Sequence, residues 1–229
     1  MNARSHFGSR RSPCWRRLAW LCLLLLVPLA LAAADGATLT YRRVFKGSVP
    51  EFIEVKVSED GDASFDIRQL SEDAAPQKFL VGAAVRAKLF ALAGELNNFA
   101  NADLDVHRRI ADLGQKTLRY EKGGEIHETQ YNYTLNHTAS QLQTIFEGLS
   151  TQQQDLVSLE KNSKYDRLGV NDSLRQLEND LAQRTLPEPE LFVPVLDRIA
   201  ADSSLLDLAR QRARSLAARI RSAATQPPQ

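Results

Sequence analysis

The chain has almost no cysteine. It has only Cys14 and Cys22, both near the start of a sequence of 229 residues. A chain processed after this region would contain no cysteine, which excludes disulfide bonds, thiolate catalysis and cysteine-based metal sites together. Its stability must then come from burial of an apolar core, and the chain is long enough to form one.

The patterns of common catalytic and metal sites are also missing. Three of the four histidines, His107, His127 and His137, lie beyond the N-terminal region, and their spacing matches no zinc-binding motif. The sequence contains no nucleotide-binding glycine loop and no G-x-S-x-G motif, and a formal S-x-x-K match at 158–161 lacks its partner motifs. We therefore expect no metal site, no bound cofactor and no catalytic residue that can be named.

The first 32 residues have the pattern of a secretory signal peptide. Five arginines and no acidic residue precede an apolar run over 18–31, and Ala30-Leu31-Ala32 matches an A-x-A cleavage signal. The apolar run is shorter than the roughly 20 residues that a membrane-spanning helix needs. We therefore expect Sec-type export to the periplasm or the cell exterior with cleavage near residue 32. The alternative is an uncleaved N-terminal membrane anchor.

The remainder of the chain has no large excess of either charge. Without the five N-terminal arginines, the 29 basic residues fall to 24 against 28 acidic ones, a net charge of −4. Such a chain gives no indication of nucleic-acid binding. The one basic cluster lies near the C-terminus and contains Arg210, Arg212, Arg214, Arg219 and Arg221. These arginines are interpreted as a solvated helix face or, alternatively, as a weak contact surface for anionic lipid headgroups or an acidic partner.

Alternating apolar residues predict an antiparallel sheet of about five strands. The first three strands are expected over 38–45, 51–58 and 62–70. A three-residue loop at 59–61, with Gly61 in the left-handed region, is favoured because it pairs Val55 with Phe65.

A second hairpin is predicted over 114–133 and is expected to organise the rest of the domain. A two-residue turn at Gly123-Gly124 pairs Tyr120 with His127 on one face. It also places Arg119 opposite Glu128 as an ion pair on the solvated face. Tyr133 is then expected on the packed face, beneath Phe146 of the following helix.

Helical spacing of apolar residues predicts the remaining elements. Helices over 81–98 and 139–159, the second capped by Thr138 and kinked near Gly148, should cover one face of the sheet. A short helix is expected over 106–113. The order β-β-β-α-β-β-α defines an α+β domain over 37–162, followed by a C-terminal helical extension over 171–222 and a disordered tail over 223–229. This order resembles that of small exported α+β modules such as the PepSY and β-lactamase-inhibitor types.

Two classes of function are compatible with these features. The export pattern, the compact sheet and the missing catalytic motifs favour a non-enzymatic periplasmic or secreted protein that binds an unknown protein or envelope component. The alternative is a carboxylate-dependent hydrolase of the cell envelope, with Glu51 and Glu54 as the candidate pair.

Overall fold

A computed structural model describes residues 36–225 of the chain. The predicted signal peptide and the final residues 226–229 of the predicted tail lie outside the described residues. Within the described part, no helix combines the length and the apolar character needed to cross a membrane.

Six antiparallel strands form one open sheet. They are β1 (Thr38–Val44), β2 (Phe52–Ser58), β3 (Asp62–Arg68), β4 (Gln77–Leu80), β5 (Gln115–Lys122) and β6 (Glu125–Tyr131). Their order in the sheet is β4-β3-β2-β1-β5-β6. The predicted α+β fold with an antiparallel sheet is therefore confirmed. The additional strand, β4, lies at the sheet edge and is too short and too polar to show an alternating pattern.

The registers of both predicted hairpins are confirmed. Val55 pairs with Phe65, and Gly61 has a φ of 105°, which fits the three-residue loop. Tyr120 pairs with His127 across the Gly123-Gly124 turn. These registers follow from local turn chemistry and from the two-residue period of the side chains, so they could be found without knowing the rest of the fold.

Residues 36–225 also contain two short 3₁₀ helices, Asn97–Phe99 and Pro189–Phe192, and five α-helices: α1 (Ala83–Glu95), α2 (His137–Tyr165), α3 (Val170–Gln183), α4 (Val193–Ala201) and α5 (Asp207–Thr225). Helices α1 and α2 cover one face of the sheet, where Leu89 and Phe146 join the apolar residues of the strands. Helix α5 continues to Thr225, so the first three residues assigned to the disordered tail are helical.

The buried apolar residues form two clusters, here called the sheet core and the helical core. The sheet core includes Leu39, Val55 and Phe146, and the helical core includes Leu174 and Phe192. Helix α2 contributes to both, because its first half packs on the sheet and Leu159 in its second half packs against α3 to α5. One continuous helix therefore joins the two cores.

The start and course of α2 differ from the prediction. Asn136 caps the helix by accepting a hydrogen bond from the Ala139 amide (3.0 Å), whereas Thr138 lies inside the helix and donates to Glu95 (3.1 Å). The helix does not break at Gly148. Because Gly148 has no side chain, the backbone of Thr185 can approach the helix closely at this point.

The predicted helix over 106–113 is wrong, and residues 100–114 have no regular structure apart from turns. Side chains bind the backbone here and replace helical hydrogen bonds. Asp105 accepts from the Asn132 amide (2.9 Å), and Asn132 accepts from the Leu113 amide (2.8 Å). These contacts attach the segment to the chain that follows β6.

Two side-chain predictions for the second hairpin are also wrong. Tyr133 lies beyond the end of β6 and is 44% exposed, while Phe146 stacks on Tyr41 with ring centroids 5.7 Å apart. Arg119 lies opposite Glu128, but its guanidinium contacts Glu121 instead (2.8 Å). Tyr133 was misplaced because β6 ends at Tyr131, and the register of Arg119 did not determine the rotamer that its side chain adopts.

Candidate functional site

One end of the sheet places two cations side by side on its helix-covered face. Arg43 of β1 lies directly opposite Lys116 of β5, and Lys116 lies opposite Tyr131 of β6. Arg43 points toward the helices because Tyr41, two residues earlier in the same strand, is buried in the sheet core. Like charges in directly opposed positions repel each other, so this arrangement needs compensation nearby.

Lys116 is compensated by backbone carbonyl groups. Its side chain is buried, and Nζ donates to the carbonyl oxygens of Leu113 (3.2 Å), Gly114 (3.2 Å) and Asn132 (2.8 Å). Burial lowers the pKa of the ammonium group, and the charge of Glu147 opposes this effect. Since an ammonium group has three protons and all three are used, Lys116 fixes the two flanking segments and has no donor left for a ligand.

Glu147 of α2 is the carboxylate nearest to Arg43. Its Oε1 accepts hydrogen bonds from the Tyr41 hydroxyl (2.7 Å) and from Nε2 of Gln143 (3.1 Å). The Tyr131 hydroxyl donates to Oε1 of Gln143 (3.2 Å), which fixes the orientation of that amide. Burial and then the charge of Glu147 raise the pKa of both tyrosines, so their hydroxyls stay protonated donors.

The side chain of Arg43 has fewer polar contacts than those of Lys116 and Glu147. Its Nη1 lies 3.9 Å from Glu147, which is beyond hydrogen-bond distance. Its Nε is enclosed and has no acceptor among residues 36–225. A buried polar group without a partner is rare in folded proteins and requires an explanation.

A pocket of about 360 Å³ opens above these groups. Its polar lining comes from four parts of the chain and consists of Arg43, Lys116, Asn132, Thr134, Ser140, Gln143, Thr144 and Glu147. Leu113 and Tyr133 complete the lining, and each is 44% exposed. The pocket therefore combines a charged, partly buried side with an apolar one, as small-molecule sites commonly do.

The open face of the sheet has a hollow of similar volume, but its charges neutralise each other. The floor is formed by threonines of β1 and β5, namely Thr38, Thr40 and Thr117. Around it, Lys56 contacts Glu54 (3.0 Å) and Arg119 contacts Glu121 (2.8 Å). Such exposed pairs are typical of a solvated sheet face.

The C-terminal arginines do not form one uncompensated patch. Four of the five contact carboxylates: Arg210 with Asp207, Arg212 and Arg219 with Glu178, and Arg221 with Asp197. The fifth, Arg214, is exposed near Asp207. Helix α5 therefore uses most of its arginines to bind α3 and α4.

The two residues of the predicted carboxylate pair, Glu51 and Glu54, have different surroundings. Glu51 accepts hydrogen bonds from the amides of Gly47 (2.7 Å) and Leu70 (3.1 Å), which lower its pKa. Glu54 contacts Lys56 on the open sheet face. A general acid needs a raised pKa, and the surroundings of Glu51 act in the opposite direction.

A second carboxyl pair, Asp155 of α2 and Asp180 of α3, was not predicted. Burial and then the hydrogen bond and charge of Asp180 raise the pKa of Asp155 to about 7. Asp180 is buried, and Oδ2 of Asp155 is enclosed. These carboxyl groups lie between packed helices, out of reach of a substrate.

The pocket was missed by sequence reasoning because it depends on the pairing of β1 with β5. The two strands are separated by about seventy residues in sequence, and alternation within each strand does not show which strand is its neighbour. The local signals were two cations in otherwise apolar rows: Arg43 shares a strand face with Leu39 and Tyr41, and Lys116 shares one with Leu118 and Tyr120.

No family model matches the chain, and no curated protein is significantly similar to it. Within residues 36–225, no group of three histidine, cysteine or acidic side chains is arranged to hold a metal ion. The chemistry of the pocket is therefore the basis for a functional proposal.

Proposed function

We propose that the protein is an exported, non-enzymatic binding protein of the periplasm or cell exterior, with the pocket beside Arg43 as its ligand site. The observation that supports this proposal is the incomplete compensation of Arg43. Two cations face one carboxylate, and that carboxylate lies 3.9 Å from Arg43 without a hydrogen bond. Proteins retain such an incompletely compensated charge mainly at functional sites.

Binding is favoured over catalysis by the state of the titratable groups. Lys116 has its three protons engaged, and the raised pKa values of Tyr41 and Tyr131 keep both hydroxyls protonated. Glu147 is fixed by two donors. These groups supply position and charge but include no activated nucleophile with an adjacent base.

The alternative function is a carboxylate-dependent hydrolase of the cell envelope that uses Glu51 and Glu54. It is supported less well, because the amides of Gly47 and Leu70 stabilise the ionised form of Glu51. The lipid or acidic-partner contact proposed for the C-terminal arginines would depend mainly on Arg214, since the other four contact carboxylates.

Export and ligand binding can be tested with one preparation. The full chain is expressed in a Gram-negative host, and we expect it in the periplasmic fraction with a new N-terminus near Ala33. Native mass spectrometry of this material should then show a co-purified small molecule. Retention of the full-length chain in carbonate-washed membranes would contradict the cleaved signal.

The matched variants are Arg43→Gln and Arg42→Gln. Arg42 is the neighbouring residue of β1 and lines the hollow on the opposite face of the sheet. We expect the co-purified molecule to be lost from Arg43→Gln and retained by Arg42→Gln. Turnover of an ester, glycoside or peptide substrate that disappears in Glu51→Gln would support the hydrolase instead.

A further inference from the structure

We infer that the pocket binds the carboxylate group of a small, partly apolar organic acid, an inference that rests on the proposed ligand site. Three properties of the pocket lead to this class of ligand: its net charge, the donors that Arg43 has available, and the apolar side chains at its border.

The charge of the pocket matches a monoanion. Arg43, Lys116 and Glu147 together carry a net charge of +1, so a single negative charge neutralises the lining. A dianion such as phosphate would add a second negative charge close to Glu147, in a partly buried place where charges are screened less than in water. A neutral ligand would leave the net positive charge in place.

The guanidinium of Arg43 provides the specific contact. Its planar arrangement of N–H groups can form two parallel hydrogen bonds to the two oxygens of a carboxylate, and it matches phosphate in the same way. Arg43 lines the pocket, and its Nη1 is too far from Glu147 for a hydrogen bond, so this end of the guanidinium can donate to a ligand. Glu147 is already oriented by Tyr41 and Gln143, so it does not compete strongly for these donors.

The apolar side of the pocket indicates the rest of the ligand. Leu113 and Tyr133 line it although each is 44% exposed, so a bound molecule would cover apolar surface that water now contacts. Hydroxyl-bearing Ser140 and Thr144 of α2 also line the pocket. The volume of about 360 Å³ is at the small end of ligand pockets and suits a short acid.

The test uses hexanoate and benzoate as probes, with hexanamide, benzamide and inorganic phosphate as comparisons. Binding to the mature protein is followed by NMR of the Nε–H signals of its arginines. We expect both acids to shift the Arg43 signal and leave the Arg42 signal unchanged, and we expect the amides to shift neither. Phosphate should bind more weakly than the acids.

Three variants separate the contributions of the Arg43 charge, its planar donor pair and the Glu147 charge to binding. Arg43→Gln should lower affinity for the acids at least about tenfold, because a charge-assisted hydrogen bond is lost. Arg43→Lys keeps the charge but loses the planar donor pair, so its affinity should be intermediate; it also serves as the test if Arg43→Gln does not fold. Glu147→Gln should strengthen binding of the acids and allow phosphate to compete.

The outcomes distinguish this inference from the proposed function. Equal binding of amides and acids, or tighter binding of phosphate by the unaltered protein, overturns the carboxylate inference and leaves the pocket as a ligand site. If neither acid shifts the Arg43 signal while another small molecule co-purifies in an Arg43-dependent way, the inference again fails alone. If nothing binds in either experiment, both are wrong.

Discussion

The sheet core and the helical core both have arginines at their borders, but they neutralise them to different extents. In the helical core, Arg212 and Arg219 share Glu178, and Arg221 contacts Asp197. At the end of the sheet core, Arg43 lies beside a second cation, and its nearest carboxylate is too far away for a hydrogen bond.

This difference separates arginines that stabilise the fold from an arginine, Arg43, that remains available to bind a ligand. Arg212, Arg219 and Arg221 have carboxylate partners supplied by helices α3 and α4. Arg210 also has an enclosed Nε without an acceptor within residues 36–225, but its Nη2 contacts Asp207. Arg43 has the weakest internal compensation of these arginines, although it is more enclosed than Arg219 or Arg221. A partly buried cation without a hydrogen-bonded partner carries a cost in stability, which a ligand in the pocket can offset.

The largest expected effect comes from truncating a buried aromatic residue in either core. Phe146→Ala and Phe192→Ala should each lower the free energy of unfolding by about 3–5 kcal/mol, since both side chains are fully buried. Because α2 belongs to both cores, each variant should shift one common transition in denaturant. The transition is followed by far-UV circular dichroism, which reports helix content, and by near-UV circular dichroism, which reports tyrosine packing. Two separate transitions would show that the cores unfold independently.

The second effect concerns the close contact between Gly148 of α2 and the segment around Thr185. Alanine normally stabilises a helix interior by about 0.5–1 kcal/mol relative to glycine. At Gly148 the new methyl group would be directed at the Thr185 carbonyl and the Pro187 ring. Overpacking of this kind costs about 1–3 kcal/mol, so Gly148→Ala should be destabilising.

The matched control for this variant is Gly94→Ala in α1. A methyl group at Gly94 meets no atom within 4 Å, so the ordinary helix preference should apply and stability should rise or stay constant. Thermal midpoints of both variants decide the question. A stabilised Gly148→Ala would show that the segment around Thr185 can move away from the helix.

The carboxyl pair between α2 and α3 should make stability depend on pH. The pKa of Asp155 rises from 3.8 in the unfolded chain to about 7 in the folded protein, so folding favours the protonated form. The free energy of unfolding should therefore fall as the pH rises from about 4 to 7 and then level off. Asp155→Asn, which mimics the protonated group, should flatten this dependence.

Thermal midpoints measured across this pH range test the assignment. Asp172→Asn provides the control, because Asp172 is an exposed carboxylate on the same helix as Asp180. Its pH profile should match that of the unaltered protein. An unchanged slope in Asp155→Asn would assign the pH dependence to other groups, such as Glu188, whose pKa is also raised by burial.

The smallest effect is expected at the compensated arginines. Glu178→Gln removes the carboxylate that Arg212 and Arg219 share at the surface. Exposed ion pairs contribute about 0.2–1 kcal/mol, and salt reduces this further. Denaturant midpoints at low and high salt should therefore differ from those of the unaltered protein only at low salt. Glu128→Ala, which removes a carboxylate that accepts a hydrogen bond from Gln130, should be nearly silent.

The hairpin registers could be predicted from neighbouring residues, whereas the pairing of strands that are distant in sequence could not. The two hairpins were found because turn residues and alternating strands specify each register locally. The pairing of β1 with β5 joins distant parts of the chain, so the meeting of Arg43 with Lys116 remained unknown. The helix predicted over 106–113 failed because Asp105 and Asn132 bind the backbone there.

The irregular segment over 100–114 has a consequence for the integrity of the chain. Arg108 and Arg109 are exposed within it, so a trypsin-like protease can reach the peptide bonds after them. A cut there would not separate the two pieces, because β1 and β5 lie on opposite sides of the cut in sequence and remain paired in the sheet. A nicked molecule should keep its shape, and two separately made polypeptides ending and beginning at this segment should assemble into one protein.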